Sequence, residues 1–191
     1  MNNLWVFGCS QVNGKFNIQE ISERWPEILA NKLNLKIKNM GEIGASNDMI
    51  FKTVLSNYNK IKEEDIVIVL MTFKDRFLYG DKNMSPVNPE NEDVYLELSD
   101  TDFFELNLMR NLLSLYFLST KHNNFFLSFV DGNWFKLLKK FNITLPMDKI
   151  IVLPKISIFD SFSIDANNKH LTVKGNSEMA EYFFKKLHFS N

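Results

Sequence analysis

The 191-residue chain balances 22 Lys and Arg against 23 Asp and Glu, so no global field recruits nucleic acid or an anionic membrane surface, and a small, roughly neutral partner is expected. At 45% hydrophobic and 14% aromatic, the composition supplies the core of a single domain over residues 1–191. The lone Cys9 excludes an internal disulfide, the first residues lack a signal peptide's basic region, and no window nears the ~18 apolar residues of a membrane span, so a cytoplasmic protein is expected.

Residues 4–7 are a short apolar run ended by Gly8, the pattern of a buried parallel strand. A helix is expected over 25–33, with Ile28, Leu29 and Leu33 at helical spacing behind a Ser22 cap and an early Pro26. Leu35, Ile37 and Asn39 open an alternating strand. Residues 41–46 are turn chemistry leading into a helix with Ile50, Val54, Leu55 and Tyr58 on its apolar side. The run 65–71 is continuous and β-branched, which places a buried strand near the sheet centre. Over 73–102 the pattern breaks into a long insertion, with turn signals at Gly80-Asp81, Pro86 and Asn88-Pro89 and only 94–98 able to form structure.

Residues 103–122 then read as a helix, 125–130 as a strand, 134–141 as a short helix and 150–153 as a fifth strand or strand-like segment. A last helix is expected over 177–187, with Met179, Ala180, Phe183, Phe184 and Leu187 on one face. Strands alternating with helices predict a three-layer α/β/α domain on a flavodoxin-like parallel sheet of about five strands, with right-handed crossovers.

Such a sheet brings the carboxyl ends of its strands to one edge. Ser10, just past the first strand, and His170, opening the last helix, are therefore a candidate nucleophile and base, although either residue on its own also reads as a helix cap. His122 and His188 occupy ordinary positions at helix carboxyl ends. The three histidines and one cysteine have no metal-ligand spacing, and neither phosphate-binding glycine loop occurs, so no metal or cofactor is expected. Cys9 reads as a small buried residue.

Four pieces in order resemble the SGNH (GDSL-like) hydrolases, particularly the subset whose first block reads Phe-Gly-Cys-Ser. They are Phe7-Gly8-Cys9-Ser10; Trp25-Pro26 with Leu29-Ala30 and Leu33; Asn39-Met-Gly41-Glu-Ile-Gly44-Ala-Ser46-Asn47-Asp48; and His170-Leu-Thr-Val-Lys-Gly175-Asn176. The resemblance implies a seryl nucleophile at Ser10, a base at His170, and oxyanion donors from the Ser10 and Gly44 main chain with Asn47 as a side-chain donor. In two places the chain departs from the family. The asparagine that follows the third strand is absent, and Met71-Thr72-Phe73-Lys74-Asp75-Arg76 stands there instead, which leaves an oxyanion hole rebuilt from Asn47 or Arg76, or an incomplete one, with Thr72, Arg76 and Asn167 as candidate substrate contacts. The aspartate three residues before the histidine is Asn167, leaving three options: Asp165 orients His170, Asn167 does so, or the pair acts as a dyad. The implied activity is hydrolysis or transfer of an acyl group on a small molecule such as an acylated sugar. The competing reading is a binding module of the same fold with impaired catalysis.

Overall fold

The computed structural model describes residues 2–18, 20–79, 82–84, 91–99 and 101–188. Its sheet is built on β1 (Asn3–Gly8) and β3 (Ile66–Met71), apolar runs whose side chains are almost all buried, as strands covered on both faces require. β1 pairs with β2 (Lys36–Gly41) on one side and β3 on the other, and β3 pairs with β6 (Phe125–Phe129), every pair parallel, in the order β2-β1-β3-β6. β2 alternates in exposure because it is the outer strand. Gly8 lies opposite both Gly41 and Leu70, so the carboxyl ends of the three strands are level.

The helices are α1 (Ser10–Asn13), α2 (Trp25–Leu33), α3 (Asn47–Asn57), α4 (Glu92–Ser99), α5 (Phe103–Ser119), α6 (Asn133–Lys140), α7 (Ile158–Ser161) and α8 (Val173–His188). The β1-α2-β2 and β2-α3-β3 connections run in opposite directions across the sheet, and right-handed crossovers therefore put α2 and α3 on opposite faces. α8 packs on α2, and α5 on α3 and α6, which completes the two outer layers. Among the described residues, no helix is long and apolar enough to cross a membrane.

The structure narrows one local expectation and corrects three. The 150–153 segment joins the sheet through a single parallel bridge, with the Ile151 N–H donating to the Leu127 carbonyl at 2.8 Å. It goes no further because Ser128 Oγ occupies the Ile151 carbonyl and Pro154 brings no N–H to the ladder. The cap of α2 is not Ser22: Arg24 stands at the N-cap without a side-chain bond, and Asn176 Oδ1 of α8 accepts from the Trp25 N–H at 2.9 Å. α5 ends at Ser119, and α8 begins a turn earlier than its apolar face suggests, at Val173.

The insertion also holds more than one structured piece. β4 (Phe77–Tyr79) and β5 (Lys82–Met84) form an antiparallel hairpin, too short for a period to show in sequence. Phe77 is buried against the rings of Tyr95, Phe103 and Phe104, tying hairpin, α4 and α5 together. The turn signals at Gly80-Asp81, Pro86 and Asn88-Pro89 lie outside the described residues.

Candidate active site

The strand order reverses at β1, whose neighbours β2 and β3 are reached by crossovers of opposite direction, and ligands of open α/β sheets bind in the crevice at such a point. β1 ends at Gly8, where a Cβ would lie 2.5 Å from Val12 Cγ2 and 2.9 Å from the Leu70 carbonyl oxygen. Only glycine lets the chain turn this tightly onto β3. Cys9 is buried and extended, its carbonyl accepts from the N–H groups of Val12 and Asn13, and Ser10 opens α1. The indole of Trp25 donates to the Gln11 carbonyl at 2.9 Å and stacks on Phe183, so α2 and α8 fix the turn carrying the serine.

His170 arrives from the loop before α8. Its Nε2 lies 2.9 Å from Ser10 Oγ, and its Nδ1 lies 2.7 Å from the Asn168 carbonyl oxygen. A carbonyl can only accept, so the proton resides on Nδ1 and the Nε2 lone pair faces the Ser10 hydroxyl. Burial holds the imidazole below the ordinary histidine pKa and the Arg76 charge adds to that, while the Asn168 bond and the Asp165 charge oppose it. The ring is thus neutral and able to take a proton at pH 7. Gly175 lets α8 approach this loop, since a Cβ there would sit 2.0 Å from the Ser163 carbonyl oxygen.

The other residues singled out in the sequence are distributed unevenly. Asp165 does not touch the ring: its Oδ1 accepts from the N–H groups of Asn167 and Asn168 at 2.8 and 3.1 Å, closing the turn. Asn167 is exposed on that turn, and the ring's second nitrogen is bound by Asn168 instead. Asn47, expected as an oxyanion donor, is spent on structure. Its Oδ1 accepts from the Thr72 N–H at 2.9 Å and its Nδ2 donates to the Thr72 and Phe73 carbonyls, a splint across the turn after β3. Gly44 has a φ of 77° in the turn closed by the Ala45 N–H on the Glu42 carbonyl, a conformation that favours glycine.

Two residues after β3 keep unused hydrogen-bonding capacity. Thr72 is 4% exposed and its hydroxyl has no partner among the described residues. The Arg76 guanidinium is half-buried over the Phe73 ring, which stacks on Phe159, and its buried Nη1 has no partner among the described residues. A water-sized cavity of about 10 Å³ lies behind the serine and histidine, lined by Gln11, Phe16 and Asn17 among others. A larger hollow of about 490 Å³ lies along α7 and α8 beside Asp160 and Glu181, away from Ser10.

Sequence reasoning missed Asp48, Gln11 and Asn168. Asp48 accepts from the Leu78 N–H, from Asn107 and Asn111 of α5 and from Arg110, binding hairpin to helix. Burial would raise its pKa, but these donors outweigh burial and hold it below the usual carboxylate value. Gln11 Nε2 donates to the Lys169 carbonyl at 2.7 Å, a contact 158 positions apart that no local pattern announces.

No family model matches the chain, and no curated protein matches it. Solved structures do. The chain is similar to a lipolytic protein of the G-D-S-L family from Veillonella parvula DSM 2008, at 14% identity over 99% of this chain and 98% of that one, with a TM-score of 0.53. It is similar to the psychrotrophic esterase EstA from Pseudoalteromonas sp., inhibited by monoethylphosphonate, at 12% identity over 98% and 97%, TM-score 0.56. It is also similar to a lipase/acylhydrolase from Enterococcus faecalis, at 12% identity over 98% and 95%, TM-score 0.52. At these identities the likeness is one of fold, and the fold is that of the SGNH/GDSL lipolytic proteins.

Proposed function

We propose that the protein is a serine-dependent ester hydrolase or acyltransferase acting on a small acylated molecule, with an acylated sugar as one such substrate. The observation that carries this reading is the 2.9 Å contact between Ser10 Oγ and an unprotonated His170 Nε2 at the sheet's switch point. A serine hydroxyl is a poor nucleophile until a base accepts its proton as it attacks. Ser10 Oγ adds to the acyl carbonyl carbon while its proton passes to His170 Nε2. The carbonyl oxygen becomes an oxyanion beside the main chain of Ser10 and Gly44. Collapse breaks the bond to the leaving alcohol, which takes the proton back from His170. Water or an acceptor hydroxyl then repeats the sequence on the acyl-serine, and which of them enters decides between hydrolase and transferase.

Thr72 and Arg76 stand next along the edge from Ser10 and are the side chains assigned to grip the substrate, with the folded part of the 73–102 insertion as the place to hold a second one. A fluorophosphonate is expected to label Ser10, and turnover of a short-chain nitrophenyl ester is expected to vanish in Ser10→Ala. Unlabelled, well-folded protein, or equal rates in the two forms, would leave a binding module of this fold as the better reading.

A further inference from the structure

We infer that the main-chain carbonyl of Asn168, held in place by Asn17 and Gln11 from the nucleophile's own loop, takes the part that a carboxylate commonly plays beside a catalytic histidine. The inference rests on the Ser10–His170 reading and says what orients the base. The carboxyl and amide groups that the sequence offers for this part, Asp165 and Asn167, are placed otherwise. Asp165 is spent on the backbone of its own turn, and Asn167 is exposed. Among the described residues, the only atom bonded to His170 Nδ1 is the Asn168 oxygen.

That oxygen must be held, because the loop carrying it bends through Lys169 at a φ of 58°, which a lysine does not adopt unaided. Five hydrogen bonds hold it. Gln11, 5% exposed, donates to the Lys169 carbonyl at 2.7 Å. The amides of Asn17 and Asn168 pair reciprocally at 3.1 and 2.5 Å, while the His170 N–H donates to Asn168 Oδ1 at 3.0 Å. Asn17 Nδ2 also reaches the His170 carbonyl at 3.2 Å. Between these two residues Phe16 lays its ring on the imidazole, with centroids 4.1 Å apart and planes 24° from parallel, while remaining 48% exposed. An apolar ring left in water is explained if its task is to cover one face of the base. Serine and base are thereby positioned by one segment, residues 10–17, without a charged third member.

Asn17, Gln11 and Phe16 are positioning residues, since they act through His170. A neutral carbonyl fixes the tautomer as a carboxylate would, but stabilises the imidazolium less. The charges that still act on the ring are Arg76 and Asp165.

The test combines ¹⁵N NMR of the imidazole with kinetics on the whole chain. In wild type at neutral pH, Nδ1 is expected to be the protonated, pyrrole-type nitrogen and Nε2 the pyridine-type one. Asn17→Ala is expected to mix the two tautomers and lower kcat about tenfold with KM little changed. Asp165→Asn, which keeps the turn-closing oxygen, is expected to cost less than that and to move the acid limb of kcat/KM to lower pH. A wild-type spectrum with the proton on Nε2, or a loss in Asp165→Asn exceeding that in Asn17→Ala, would overturn the inference. Retained ester turnover in Ser10→Ala would instead sink the nucleophile assignment, and the tautomer would still report on Asn168.

Discussion

Each edge of the sheet carries a buried polar cluster, and the clusters around Asp65 and Ser10 differ in how fully their hydrogen bonds are made. At the amino edge, Asp65 is fully buried and accepts from the Asn3 N–H and amide, the Trp5 indole and the Lys62 N–H. Burial would raise its pKa, yet four donors outweigh that and hold it below the usual carboxylate value. At the carboxyl edge, the Thr72 hydroxyl, Gln11 Oε1 and Arg76 Nη1 are buried without partners among the described residues, and the Ser10 hydroxyl has His170 Nε2 as its acceptor. A saturated polar cluster ties β1 to the turn before β3. An unsaturated one has capacity left for a substrate and for charge that develops only during reaction.

The sharpest break in that contrast is Ser10→Ala, expected to lower ester turnover by about 10³-fold or more while leaving the urea midpoint almost unchanged. Asp65→Ala should do the reverse. Stranding four donors is expected to cost about 2–4 kcal/mol in urea unfolding at unchanged m, with full activity per folded molecule. The same carboxylate sets a pH window: its folded pKa is depressed, so its contribution is complete above the unfolded value of about 3.9 and is lost as pH falls through the folded one. A thermal midpoint that is flat from neutrality down through that window would refute this assignment.

A smaller effect sharpens the other edge. Because the His170 pKa is lowered, the acid limb of kcat/KM should fall below the reference value of about 6.5. Arg76→Gln removes a like charge and should move that limb upward. An unmoved limb would mean that burial alone depresses the base.

Much of this was written locally. The apolar runs of β1 and β3 cannot sit anywhere but under two layers of helix, and the order of strand and helix signals then allows few topologies. Ser10 was legible because a small hydroxyl residue follows the first strand, and His170 because a block surrounds it. Asn47 reads as an oxyanion donor or as a helix cap, two local options that leave out the one the structure takes. Its amide does meet the residue after β3, but through the backbone of Thr72, and nothing in one sequence says whether an amide faces backbone or substrate. The α2 cap was missed because Asn176 lies 151 positions away.

By itself the chain determined its elements, their order and the edge to which its serine and histidine would come, since periodicity and turn chemistry are local properties. The tertiary structure alone decided what each polar group does there. It gave Asp165 to a turn, Asn47 to a splint and the histidine to a main-chain carbonyl, because a hydrogen bond is allotted by position within about 3 Å, and such positions are set by parts of the chain far apart in sequence.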